Sequence, residues 1–162
     1  MQKNDKEIEF ENQVKEHELL IYKLCRIYAS TQTDREDLYQ EIVIQLWKSY
    51  SKFRGESKFS TWLYRVAINT AITGLRKEKN FISSYEPSQL PVHATNEDNG
   101  EDQLQDLYAA IEKLNEIEKA IVMLYLEDRS YEEMEEILGI NSGTLRVKMN
   151  RIKEKLRQLT KK

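Results

Sequence analysis

The chain has 162 residues, 40% hydrophobic and 33% charged, with a formal net charge of −3 at pH 7. That length can bury one medium core or two small ones, and no apolar run reaches membrane-spanning length. The opening MQKNDKEIEFENQ lacks the apolar stretch of a secretory signal, and the single cysteine, Cys25, excludes an internal disulfide, so the composition points to a reducing cytoplasm.

Five glycines and only two prolines predict a mostly helical chain with few turns. The first periodic segment places Phe10, Val14, His17, Ile21, Leu24 and Tyr28 on one face and breaks at Ser30-Thr31-Gln32-Thr33. Cys25 lies beside Leu24 on that face and reads as a buried, inert thiol. Asp34 is expected to cap a second helix to about Tyr50, with Leu38, Ile42, Leu46 and Tyr50 inward. On its other side Asp37, Gln40, Glu41, Gln45 and Lys48 form a polar ridge, which as residues alone reads first as a solvated face.

A loop rich in aromatics and charges follows, Phe53-Arg54-Gly55-Glu56-Ser57-Lys58-Phe59, and Ser60 is expected to cap a third helix to about Lys79. On that helix Trp62, Arg65, Asn69, Ile72 and Arg76 keep helical spacing, with Lys77 and Lys79 extending its positive end. Aromatics interleaved with cations are what single-stranded nucleic acid requires, rings for unpaired bases and cations for phosphates. The plainer reading makes Trp62 and Tyr64 core residues under surface cations.

From Phe81 to Gly100 the periodicity fails, and both prolines, Pro87 and Pro91, fall there with several serines and asparagines. The fold class expected is therefore all-α: two small helical domains, residues 1–80 and 105–162, joined by a flexible acidic linker at 81–104. Helices at about 103–114 and 116–126 lead into SYEEMEEILGINSGTLRVKMNRIKEKLRQL, residues 130–159. Here Ser130 and Glu133 can close a capping box, and Tyr131, Met134, Ile137 and Leu138 make a narrow apolar stripe. Gly139 suits a left-handed C-cap, and Ser142 can cap a longer helix with Leu145, Met149, Ile152, Leu156 and Leu159 inward. The turn glycine and the caps fall at helix-turn-helix spacing. The opposite face of the longer helix offers Arg, Asn and a small apolar residue, the chemistry that reads base edges in a major groove, although an ordinary hairpin with a soluble face has the same periodicity.

The net charge becomes informative once divided by region. Residues 1–80 hold 14 Lys and Arg against 12 Asp and Glu, residues 81–104 hold none against five, and residues 105–162 hold 11 against 11. Within the last group, residues 143–162 carry eight cations against Glu154 alone. A local basic patch on an acidic chain predicts weak binding to DNA without a partner.

Three stretches, DREDLYQEIVIQLW, FSTWLYRVAINTAITGLRKEK and the terminal helix-turn-helix, resemble in order and separation an extracytoplasmic-function (group 4, sigma-70 family) sigma factor of bacterial RNA polymerase. The resemblance covers about residues 10–80 and 105–160. It implies a region 2 domain at 1–80, which binds core polymerase and opens the −10 element, and a region 4 domain at 105–162, which reads the −35 element. By the same resemblance Asp37, Gln40 and Glu41 grip the core enzyme, and the loop 53–59 captures a flipped −10 base. The −10 set would be Phe53, Arg54, Phe59, Trp62, Arg65, Asn69 and Arg76; the −35 set would be Thr144, Arg146, Val147, Lys148, Asn150 and Arg151. Lys148, Lys153 and Lys155 lie at the flanks of that face and suit phosphates. The implied partners are core RNA polymerase and promoter DNA, with room for an anti-sigma factor, and no cofactor, metal or small-molecule substrate. Many relatives have Ser-Arg-Leu where this chain has Val147-Lys148-Met149, and Arg-Ala at Arg151-Ile152, so their −35 sequence does not carry over.

No enzyme is expected. His17 and His93 are isolated, without metal-ligand spacing, and no phosphate-cradling glycine loop or Ser/His/Asp arrangement occurs. Glu132, Glu133, Glu135 and Glu136 read as a solvated helical first turn. The competing assignments are a stand-alone helix-turn-helix regulator binding duplex DNA as a dimer, and a helical adaptor without a DNA function.

Overall fold

The computed structural model describes residues 4–53, 55, 57–81 and 99–160, and side chains for 4–53, 55, 57–74 and 104–160. Among the described residues there are eight helices and no strand, and the chain divides into two compact units, Met1–Arg76 and Lys77–Lys162.

The first unit contains α1 (Asp5–Glu16), α2 (Glu18–Tyr28), α3 (Gln32–Tyr50) and most of α4 (Phe59–Phe81). The segment expected as one helix to Tyr28 is broken at His17, whose backbone leaves helical geometry at φ −107°, ψ 14°. His17 Nδ1 lies 2.8 Å from the Gln13 carbonyl oxygen, so a side chain engages the last turn of α1. The apolar face survives the break: Phe10 and Val14 are buried from α1, and Ile21, Leu24 and Tyr28 from α2. The α3 cap also differs from expectation. Thr31 Oγ1, not Asp34, accepts the capping hydrogen bond, from the Asp34 amide at 3.1 Å, so Asp34 becomes a first-turn acid. Likewise α4 begins at Phe59, which puts Ser60 inside the first turn rather than at its cap.

Ile42, Leu46, Leu63, Tyr64 and Ala67 complete this core, each large aliphatic contributing about 1.5–3 kcal/mol by leaving water. Arg35 Nε donates to the Ala29 carbonyl at 2.9 Å and fixes the turn between α2 and α3. Cys25 is buried as expected; burial pushes its thiol up to about 12, with Arg35 pulling weakly the other way.

The second unit holds α5 (Asn99–Glu112), α6 (Glu116–Leu126), α7 (Tyr131–Leu138) and α8 (Ser142–Thr160). Because α5 starts at Asn99, the last residues of the expected linker are helical, while residues 82–98 lie outside the described residues. Asn115 and Glu118 form a capping box at 2.8 and 3.0 Å that starts α6. That helix is apolar nearly all round, with Ala120 through Leu124 buried, and α8 packs against α5, α6 and α7.

Candidate nucleic-acid interface

The α7–turn–α8 motif is fixed at every junction. Ser130 Oγ accepts the Glu133 amide at 3.1 Å while Glu133 Oε1 receives the Ser130 amide at 3.5 Å. Arg129 pairs with the same carboxylate at 3.3 Å. Slight burial pushes the Glu133 carboxyl upward, but the bonds from Ser130 and Arg129 outweigh it and hold the group below its ordinary range. Gly139 ends α7 at φ 72°, ψ 20°, the left-handed conformation that strains any side chain.

The cap of α8 is Asn141 rather than Ser142: Asn141 Oδ1 accepts the Gly143 amide at 2.8 Å. The Ser142 amide donates instead to Glu135 Oε1 at 2.7 Å. A Cβ at Gly143 would stand 3.0 Å from Asn141 Oδ1, so a glycine there lets the cap approach. The acidic run of α7 is therefore more than a solvated face, since Glu133 secures the start of α7 and Glu135 the turn that follows it.

Leu145, Met149 and Ile152 are buried, and the stripe fades to half-buried Leu156 and exposed Leu159. Thr144, Arg146, Val147, Lys148, Asn150 and Arg151 are all exposed on the remaining surface, with Val147 49% exposed although apolar. Arg146 is not free-swinging: its Cζ lies 4.8 Å from the Tyr131 ring centroid and its Nη2 lies 3.7 Å from Glu132 Oε1. Of the flanking lysines, Lys153 sits over the Tyr125 ring at 4.7 Å and Lys155 pairs with Glu118 at 3.1 Å. Both fasten α8 to α6, a role that a sequence separation of 37 residues hides in the second case.

In the first unit, Trp62, Arg65 and Asn69 follow one another along α4, half-buried, half-buried and exposed, opposite buried Leu63, Tyr64, Ala67 and Ile68. Phe53 and Phe59 meet edge-on at 5.8 Å, and Trp62 stands 5.1 and 5.3 Å from them. The rings continue through Tyr50 to Trp47 and Phe10, and His17 lies 5.2 Å from Phe59. The loop aromatics thus form the rim of a larger cluster. Gly55, in the same loop, takes φ 75°. Arg54 lies outside the described residues, as does His93, and Arg76 is described only by its helical backbone.

On α3, Asp37, Gln40 and Glu41 are exposed, and Gln45 Nε2 donates to Glu41 Oε1 at 2.9 Å. Sequence reasoning missed two neighbours on this face, Ile44 and Trp47, which are 46% and 43% exposed. Ile44 at +3 from Glu41 and Trp47 at +3 from Ile44 carry the signal in their spacing, but the expected ridge named only polar residues. Among the described residues no group of three or more His, Cys, Asp or Glu could hold a metal ion.

The chain matches the family models for Sigma-70 region 2 over residues 13–81 and Sigma-70 region 4 over residues 104–156. It is 30% identical over 150 residues to RNA polymerase sigma factor SigV of Bacillus subtilis (strain 168), covering 91% of this chain and 89% of that protein. It is 33% identical over 138 residues to the ECF RNA polymerase sigma-E factor of Haemophilus influenzae, covering 76% and 73% respectively. In fold it is similar to the sigma factor RpoE of Bartonella quintana, solved with the anti-sigma factor NepR, at a TM-score of 0.77 and 20% identity over 94% of this chain and 97% of that one. CnrH, solved with the cytosolic domain of CnrY, gives a TM-score of 0.68 at 18% identity, over 93% and 86%.

Proposed function

Because this chain belongs to the extracytoplasmic-function group of the sigma-70 family of RNA polymerase sigma factors, we propose that its exposed faces divide promoter initiation between them. As a sigma factor it binds core RNA polymerase and promoter DNA. The α3 ridge of Asp37, Gln40 and Glu41 grips the core enzyme, and exposed Ile44 and Trp47 add apolar surface that docking would remove from water. The α4 face with Arg65 and Asn69, together with Phe53, Phe59 and Trp62, handles the −10 element; Arg54 and Arg76 join this set on sequence grounds. An aromatic rim beside cations supports capture of an unstacked base, since stacking contributes about 1–3 kcal/mol per base.

The −35 element falls to α8. Arg146 and Arg151 suit guanine, Asn150 suits adenine, and Val147 can touch a thymine methyl, while Thr144 and Lys148 suit phosphates. The observation that carries the assignment is the exposure of all six residues on a helix seated by buried Leu145, Met149 and Ile152. Both solved neighbours are held by a protein partner, and in one the pair is named a sigma factor and its anti-sigma factor; that likeness supports a partner of the same class here. A cytoplasmic location fits these partners, and among the described residues no helix is long and apolar enough to cross a membrane. A free-standing dimeric regulator is not favoured, because the region 2 match accounts for residues 13–81.

The decisive experiment is run-off transcription by core polymerase on a promoter panel, with and without the chain. Selective initiation only in its presence is expected. Asp37→Lys with Glu41→Lys should lose core binding in a pull-down while helical content stays native. Retained core affinity would refute the α3 assignment, and unaided binding to a palindromic duplex would favour the dimeric regulator instead.

A further inference from the structure

We propose that Tyr131 and Glu132 of α7 are positioning residues that set the direction of Arg146 and thereby sharpen the −35 preference of this chain. The inference rests on the reading of α8 as the base-contacting helix. The guanidinium lies 4.8 Å from the Tyr131 ring centroid, within the range where a cation is held by an aromatic face. Its Nη2 stands 3.7 Å from Glu132 Oε1, close enough to be drawn by the charge and too far to be a hydrogen bond. The distinction matters chemically. A guanidinium has five N–H donors, and one that is steered without being hydrogen-bonded keeps them all for a base edge.

The base on which these two residues stand is rigid. Tyr131 is the first residue of α7, inside the Ser130–Glu133 capping box, and Arg129 pins that box at 3.3 Å. At the other end of α7 the Gly139 reversal and the Glu135–Ser142 bond fix where α8 begins, and with it where Arg146 departs. An unrestrained arginine loses much rotamer freedom when it forms a bidentate contact; one already laid along a ring loses less. Arg146 and Glu132 nevertheless stay 56% and 75% exposed, so the pair guides the side chain without hiding it. Arg151, five residues further along α8, lacks both α7 neighbours among the contacts described, which makes it the internal comparison.

The test is transcription by the full chain with core polymerase on a library randomised across the −35 element. Arg146→Ala should flatten preference at one or two positions. Tyr131→Leu should lower the preference ratio at the same positions about two- to fivefold, the span of an exposed cation–ring contact, and Glu132→Gln, which loses an exposed charge pair, by up to about fivefold. Tyr131→Phe keeps the ring and should retain the preference. In an Arg146→Ala background, Glu132→Gln should change nothing further. A uniform gain across all sequences from Glu132→Gln would mean the carboxylate merely repels phosphates, and would overturn the proposal; so would an effect that survives without Arg146. Should Tyr131→Leu unfold the motif, the exposed Glu132 variant decides alone. If Arg146→Ala leaves every preference intact, the base-reading role of Arg146 fails first and the positioning role goes with it.

Discussion

Glu135→Ala removes a side chain that ties the end of α7 to the start of α8 across the turn. The Glu135 carboxylate accepts the Ser142 amide at 2.7 Å, and its own carbonyl accepts the Gly139 amide at 2.8 Å, so a single residue binds both sides of the reversal. Without the carboxylate, the first N–H of α8 has no partner in the helix and the positive end of the helix dipole loses a neighbouring anion. Hydrogen bonds to charged groups contribute about 1.5–3 kcal/mol when dry. Glu135 is exposed, so water can replace it, and the expected cost falls to about 1 kcal/mol. For a unit of this size that corresponds to a melting shift of about 4–8 °C. A more local readout is hydrogen exchange at the Ser142 amide in the full chain, which should quicken about fivefold if opening is made easier by that amount. Glu135→Gln keeps an oxygen acceptor and should fall between the two. Unchanged exchange at Ser142 in the alanine variant would refute the reasoning, leaving the turn to Gly139 and Asn141 alone.

Other consequences are equally direct. Leu145→Ala should cost the second unit about 2–5 kcal/mol in a urea titration, whereas Val147→Ala, at 49% exposure, should stay within about 0.5 kcal/mol and alter only promoter preference. Cys25, buried and with its thiol raised to about 12, should resist a thiol reagent in the native chain and react only after denaturant is added; rapid native labelling would contradict its packing. Glu133 is held below the ordinary carboxylate range, so its stabilising contribution is complete above that range and is lost as pH falls through the lowered value. Thermal melts of the parent should therefore weaken in acid more steeply than those of Glu133→Gln.

What could be read from residues alone was mostly what local chemistry decides. The Ser130–Glu133 box, the Gly139 reversal and the buried Leu145–Met149–Ile152 stripe all appear where their spacing put them, because each depends on neighbours within four residues. The failures share a different cause. Asp34 and Ser142 have cap chemistry, but Thr31 and Asn141 stand at the true boundaries, and several adjacent capping residues cannot be ranked by type. Phe10 through Tyr28 has an unbroken apolar period, yet the backbone leaves the helix at His17, whose ring and amide both bond the Gln13 carbonyl. The pairings Lys155–Glu118, Lys153–Tyr125 and Arg146–Tyr131 join different helices, so the cations looked alike in sequence while the fold gave them different work. For the ridge on α3 the polar half was legible and the apolar half was not, since an exposed tryptophan runs against the usual inward assignment.

The ring cluster of the first unit also makes the protein its own optical probe. The chain contains two tryptophans, Trp47 and Trp62, and both belong to the Met1–Arg76 unit. Each stacks or tilts against Tyr50, at 6.3 and 6.1 Å, yet their surroundings differ: Trp47 stands 43% exposed on the α3 ridge, and Trp62 is half-buried beside Phe53 and Phe59, the two faces proposed for polymerase and for the −10 element. Tryptophan emission therefore arises from the first unit alone, from two sites with different surroundings. A Trp62→Phe chain would report polymerase docking through the loss of water around Trp47. A Trp47→Phe chain would report base capture through quenching at Trp62. Comparing the two traces in one stopped-flow mixing experiment would order holoenzyme assembly and promoter melting in time, with no label added.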